Sequence, residues 1–216
     1  MEVTSEQIVQ AVYQTLYMVS ASLLFATIIG IPLGVLLVVT RKGHILENSF
    51  IFSLLNPVVN VLRSVPFIIL LVAIIPLTRL IVGTSIGTTA AIVPLVIYTG
   101  PYIARLVENS LLEVDAGIIE AAQAMGATPV QVIFRFLIPE ALGSLVLSIT
   151  TATIGLIGAT AMAGAVGAGG LGDLAITYGH QRFSTITIVA TVIILVVMVQ
   201  GIQSLGNRLA RNIRRR

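Results

Sequence analysis

Apolar residues run along this chain in long blocks, and the chain turns polar only briefly between them. Residues 7–40, 80–104, 141–172 and 183–207 contain no Asp, Glu, Lys or Arg. Each block exceeds the ~20 residues that a helix rising about 1.5 Å per residue needs to cross about 30 Å of hydrocarbon. The pattern predicts an all-α, polytopic membrane protein: one membrane domain over residues 1–216, with spans near 13–39, 57–77, 84–104, 141–163 and 185–206. The second span joins two shorter uncharged runs across Arg63, and Pro57, Pro66 and Pro76 punctuate it. Glycine and proline inside spans, as at Gly30, Pro32, Gly34, Pro94, Gly155 and Gly158, predict close helix contacts and local kinks.

Composition narrows the picture. Of 216 residues, 56% are hydrophobic and 10% charged, against roughly a quarter charged in a soluble domain. The chain has no cysteine, which excludes disulfides and thiolate sites, and its two histidines, His44 and His180, cannot make a metal site unaided, so none is expected. Glu2 and Glu6 precede the first basic residue, Arg41, and the apolar run that follows them is too long for a signal h-region, so the first span is expected to be retained. An odd span count puts the termini on opposite sides. With the N-terminus outside, the cytoplasmic segments hold Arg41, Lys42, Arg105, Arg135, Arg208, Arg211, Arg214, Arg215 and Arg216, against Arg79 and Arg182 outside. The positive-inside rule therefore predicts a cell-membrane protein with its N-terminus outside and its C-terminus cytoplasmic. The arginine tail reads as an anchor to membrane lipid rather than a nucleic-acid contact.

Residues 105–140 form the only long polar connection. Asp115 can cap a helix from Ala116, on which Ile118, Ile119, Ala122 and Met125 make an apolar stripe, and Gly126 supplies a left-handed stop. Thr128 and Gln131 then form a capping box, with Pro129 in the first turn, and Pro139 is expected to end that second helix. A DNA-reading helix pair would need cations. Residues 106–139 instead carry Glu108, Glu113, Asp115 and Glu120 against Arg135. Two readings remain on physics alone: a helix docked in a partner's groove, or a loop lying on the membrane surface.

Glu120-Ala121-Ala122, three residues, Gly126, nine more, then Phe136-Leu137-Ile138-Pro139 resembles the EAA loop of ATP-binding-cassette importers, E-A-A-x3-G-x9-I-x-L-P. Phe136 and Ile138 depart from the pattern, apolar for apolar. Residues 62–68, 81–87 and 161–172 also resemble the permease family for methionine uptake, while the pieces at Arg63 to Pro66 and Gly169 to Gly172 are shared with quaternary-amine permeases. The resemblance implies a type I importer permease fold, a homodimer, a separate cytoplasmic ATPase pair that seats Glu120, Ala121, Ala122, Met125 and Gly126, with Pro139 closing the motif, and an extracytoplasmic solute-binding protein. It places Met162, Gly169 and Gly170 near an external gate. No cofactor is expected, and another small solute remains the alternative cargo. The sole lysine, Lys42, lies outside any G-x4-G-K-[ST] sequence, so the chain cannot hydrolyse ATP by that route.

Gly167, Gly169 and Gly172 match G-x-G-x-x-G, but no acidic residue follows Asp173, so a dinucleotide site is rejected for an outward loop or partial re-entry. Arg63 is costly inside a span, at about 2.5 to 3.5 kcal/mol. It either bonds carbonyls or an acid within the bundle, with Glu108 one candidate, or snorkels to the interface. Glu108 is read first as marking the cytoplasmic end of its span. The spans lack a strong second ionisable group, which argues against an ion-coupled transporter, and they hold no catalytic constellation.

Overall fold

The computed structural model describes residues 3–214, all of its regular structure helical. Arg215 and Arg216 of the tail lie outside the described residues. Helix α1, Ser5–Val39, starts earlier than hydropathy suggests, because Thr4 and Gln7 make a reciprocal capping box at its head. Helix α2, Ser49–Ser64, begins on the Asn48 side chain and stops at Val65, whose extended backbone is what a following proline demands. Helix α3, Phe67–Ala73, then departs at 101°. Where one span is expected over 57–77, the chain forms a sharply bent helix pair, followed by the short α4, Ile75–Val82.

Helix α5, Thr88–Leu112, runs well past residue 104, and α6, Ala116–Ala124, follows. The expectation that Pro139 ends the next helix is not met. Helix α7, Pro129–Val132, passes through a π turn at Ile133–Leu137 straight into α8, Ile138–Gly164. Ile138 N–H reaches back to the Ile133 carbonyl there, and Pro139, which has no N–H to give, follows directly on the π turn without breaking the run. The polar connection shrinks accordingly to the stretch around α6. Helix α9, Gly170–Leu174, and a second π turn, Ala175–His180, lead to α10, Thr185–Arg214.

Small residues set the packing. Gly30 of α1 lies against the Gly100 carbonyl and Ile103 of α5, and Gly34 against the Ala104 carbonyl and Val107, so α1 and α5 run parallel at close range. Matching positions sum rather than shift for the other pairs: Ser110 bonds Ser148 at 2.8 Å and Glu113 accepts from Ser144, so α8 is antiparallel to α5. Gly206 meets Thr150 and Gly143 meets Arg214, so α10 is antiparallel to α8. Without a water-driven force between helices in lipid, such backbone approach and interhelical bonds carry the association. The directions gather the α1–α2 turn, α6 and the end of α10 at one end of the bundle, and with them Arg41, Lys42, Arg105, Arg135, Arg208, Arg211 and Arg214.

Candidate functional site: the helix outside the bundle and the paired end of α5

Three local devices build the α6 segment. Asp115 accepts from Gly117 N–H at 2.8 Å and starts α6. Gly126, at φ +78°, stops it: its N–H bonds the Gln123 carbonyl while Ala127 N–H bonds that of Ala122, the Schellman pair. Thr128 and Gln131 then cap α7 reciprocally.

The helix presents two faces. Ala122 is fully buried, and Ile119 and Val114 pack on the cluster of Ile133, Leu137 and Leu111. Glu120, Ala121, Met125 and Gly126 are exposed. Met125 is 73% exposed, and Val130 at 62% and Phe134 at 66% extend the apolar surface along α7 and the π turn. The structure thus brings together the exposed positions of the motif and turns Ala122 inward as their anchor. Pro139 lies beyond the contact of α6 with α7 and the π turn, at the head of α8.

Directly above this segment sits a charge cluster that sequence reasoning missed. Glu108, 2% exposed, accepts from Arg105 one turn earlier and faces Arg41 of the α1–α2 turn at 3.9 Å. The other arm of the Arg105 fork donates to Asn56 Oδ1 at 2.8 Å and Asn60 Oδ1 at 2.7 Å, both on α2. One guanidinium therefore ties α2 to α5 through the planar, bidentate geometry lysine lacks. The available signal was the three-residue spacing of Arg105 and Glu108 on a helix continuing past 104. Arg63 pairs with no acid among the described residues: it is exposed and its guanidinium lies 6.0 Å from the Tyr102 ring centre. His44, near Arg41, is held below its ordinary value of 6.5, first by burial and then by the Arg41 charge. The folded state therefore binds that proton less readily than the unfolded chain, and its neutral form persists to lower pH.

At the opposite end, Gly170 N–H bonds Gln14 Oε1 at 2.8 Å and Leu171 N–H bonds Thr15 Oγ1 at 2.9 Å. A side chain on Gly169 would meet Gln14, and one on Gly170 would meet Thr15 and Met18. The methionine beside Gly170 is thus Met18, fully buried on α1, whereas Met162 is 53% exposed on α8. The segment preceding α9 is helix α8, and Gly164 and Gly172 let α8 and α9 touch backbone to backbone, so the glycines serve packing rather than a nucleotide. Gln7, Gln10, Gln14, Asp173 and Tyr178 line an open polar cleft nearby.

Long apolar helices, one pair of them sharply bent, and a capped amphipathic helix held outside the bundle are the architecture of an integral membrane protein. Residues 30–216 match the family described as the inner membrane component of binding-protein-dependent transport systems. The chain is 52% identical over 209 residues, 97% of its length and 93% of the relative's, to the probable D-methionine transport system permease protein MetI of Vibrio cholerae serotype O1. It is 53% identical over 157 residues, 73% of its length and 72% of the relative's, to the D-methionine transport system permease protein MetI of Escherichia coli K12. A solved structure of the MetNI methionine ABC transporter in inward-facing conformations superposes with a TM-score of 0.95 at 48% identity, covering 97% of each chain. The chain belongs to the family of binding-protein-dependent inner membrane transport components: it is a multi-pass membrane protein and a permease subunit.

Proposed function

We propose that this permease carries methionine into the cytoplasm as a homodimer, driven by a pair of separate cytoplasmic ATPases and supplied by an extracytoplasmic solute-binding protein. The observation that carries the cargo is the 52% identity with a methionine permease across 97% of the chain, joined by the 0.95 superposition on a methionine transporter. The orientation, N-terminus outside and C-terminus cytoplasmic, is supported by the gathering of seven basic residues at the α6 end of the bundle, with Arg79 and Arg182 elsewhere.

In this scheme the exposed face of Glu120, Ala121, Met125 and Gly126, with Val130 and Phe134, is what each ATPase grips. Ala122 fixes that face toward α7 and the π turn, and α5 and α8 pass its displacement to the spans. ATP-driven approach of the two ATPases draws the two α6 segments together and opens the bundle outward, and hydrolysis reverses it. Met162, Gly169 and Gly170 are assigned to the outer part of the solute path, with Gln14 and Thr15 holding the glycine turn in place.

Reconstituted with its ATPase and binding protein, the permease is expected to take up methionine only with ATP. Uptake driven by an ion gradient alone would reject the scheme, and a different ligand on the cognate binding protein would reassign the cargo. Gly126→Asp tests the docking face. No atom lies within 4 Å of a side chain built there, so its fold cost is limited to the left-handed backbone, at most about 1 to 2 kcal/mol and least for Asn or Asp. The variant is expected to insert and purify normally and to lose most substrate-stimulated ATPase activity and uptake. Normal values of both would remove α6 from the ATPase contact.

A further inference from the structure

We infer that the cleft between α8 and α10 at the basic end of the bundle is a binding site for the phosphodiester headgroup of an anionic phospholipid. The cleft is lined by Leu147 of α8 and by Asn207, Ala210, Arg211 and Arg214 of α10. Its shape depends on Gly143. A side chain built there would meet Arg214 Cγ and Nε at 2.9 Å, so the missing side chain lets the Arg214 stem lie in the groove between the helices. Arg211 stands one turn away on the same face of α10.

Among the described residues, no carboxylate pairs with either arginine; the ion pairs found there all involve Glu108. Two guanidinium groups and the Asn207 amide therefore converge on one opening with their donors available, the arrangement that planar, charge-assisted recognition of phosphate oxygens requires. The wall beneath is apolar, formed by Leu147 and Ala210. A free phosphate would use only the upper half of this site. A phospholipid uses both, its headgroup at the arginines and the start of its acyl chain against Leu147 and Ala210, at the depth where an apolar span gives way to charge. The inference agrees with the proposed orientation, which puts this end in the anionic leaflet, but its test works in detergent and needs no sidedness.

The assembled importer is delipidated, supplied with phosphatidylglycerol or phosphatidylcholine, and weighed by native mass spectrometry. The expected result is retained phosphatidylglycerol in preference to phosphatidylcholine, with occupancy falling about tenfold in the variant carrying Arg211→Gln and Arg214→Gln together. Arg208→Gln removes the same kind of charge from the same helix outside the cleft and is expected to keep full occupancy. All these residues are exposed, so unchanged unfolding temperatures serve as the folding control. Unaltered occupancy in the double variant would overturn the site. An equal loss from Arg208→Gln would reduce it to diffuse charge, and displacement of the lipid by excess inorganic phosphate would reassign it to a free anion. Methionine uptake is a separate measurement, so failure here leaves the transport reading untouched.

Discussion

Gly34→Leu is expected to prevent the permease from assembling as a stable bundle. A Cβ at Gly34 would lie 2.6 Å from the Ala104 carbonyl oxygen and 2.7 Å from Val107 side-chain atoms of α5. Neither neighbour can yield: one is helix backbone and the other is a nearly fully buried valine. The branched leucine must therefore push α1 away from α5, breaking the contact that continues up the same stripe through Gly30, against Gly100 and Ile103. Overpacking of a close-packed site costs about 1 to 3 kcal/mol when neighbours can adjust, and here the shift is shared by a whole helix pair. Gly158→Leu is the matched control, because nothing lies within 4 Å of a side chain built there. Thermal unfolding in detergent and the yield of monodisperse protein should fall sharply for Gly34→Leu and stay near wild type for Gly158→Leu. Equal behaviour of the two variants would mean that the parallel α1–α5 contact does not hold the bundle.

What could be read ahead of the structure follows the range of the interaction responsible. The ends of α6 and the start of α7 depend on Asp115, Gly126, Thr128 and Gln131 acting within a few residues, and each makes the bond its type and spacing suggest. Hydropathy likewise marks four long helices, since a lipid solvent acts on every residue of a span. The bend after α2 was hidden because hydropathy sums over Pro66 without regard to direction, although the proline itself requires Val65 to leave the helix. Pro139 misled in the opposite way: a proline reads as a stop, and the π turn just before it, through which the helix continues, has no sequence signature of its own. Arg63 and Glu108 were the hardest, because the partner of a charge inside a bundle is chosen by which helices lie side by side. Tyr102 stands by one, and Arg105 and Arg41 by the other. Nothing local announces that α1 and α5 run parallel.

Removing the carboxylate of Glu108 is expected to cost the bundle more than any other single side-chain deletion at its basic end. Glu108→Ala leaves the Arg105 guanidinium, 17% exposed, with only the Asn56 and Asn60 carbonyl oxygens as acceptors, and leaves Arg41 without its counter-charge. Deleting one partner of a buried ion pair costs about 3 to 5 kcal/mol, because the surviving charge remains desolvated. The same physics predicts recovery when both charges go: Arg105→Gln with Glu108→Gln should regain most of the lost stability. Arg105→Lys should not, since an ammonium cannot spread its donors across Glu108 on one side and two asparagines on the other. The cluster stands one turn above the end of α5, where the chain leaves for α6, and it is joined through α2 to the bent second span. A loosened cluster should therefore show in transport as well as in stability, with ATP hydrolysis continuing while the methionine moved per ATP declines. Unfolding temperatures in detergent and the ratio of uptake to hydrolysis in vesicles give the two readouts. A Glu108→Ala protein that melts with the wild type would show that the two arginines are solvated well enough to stand alone, and that α2 is held to α5 by packing rather than by charge.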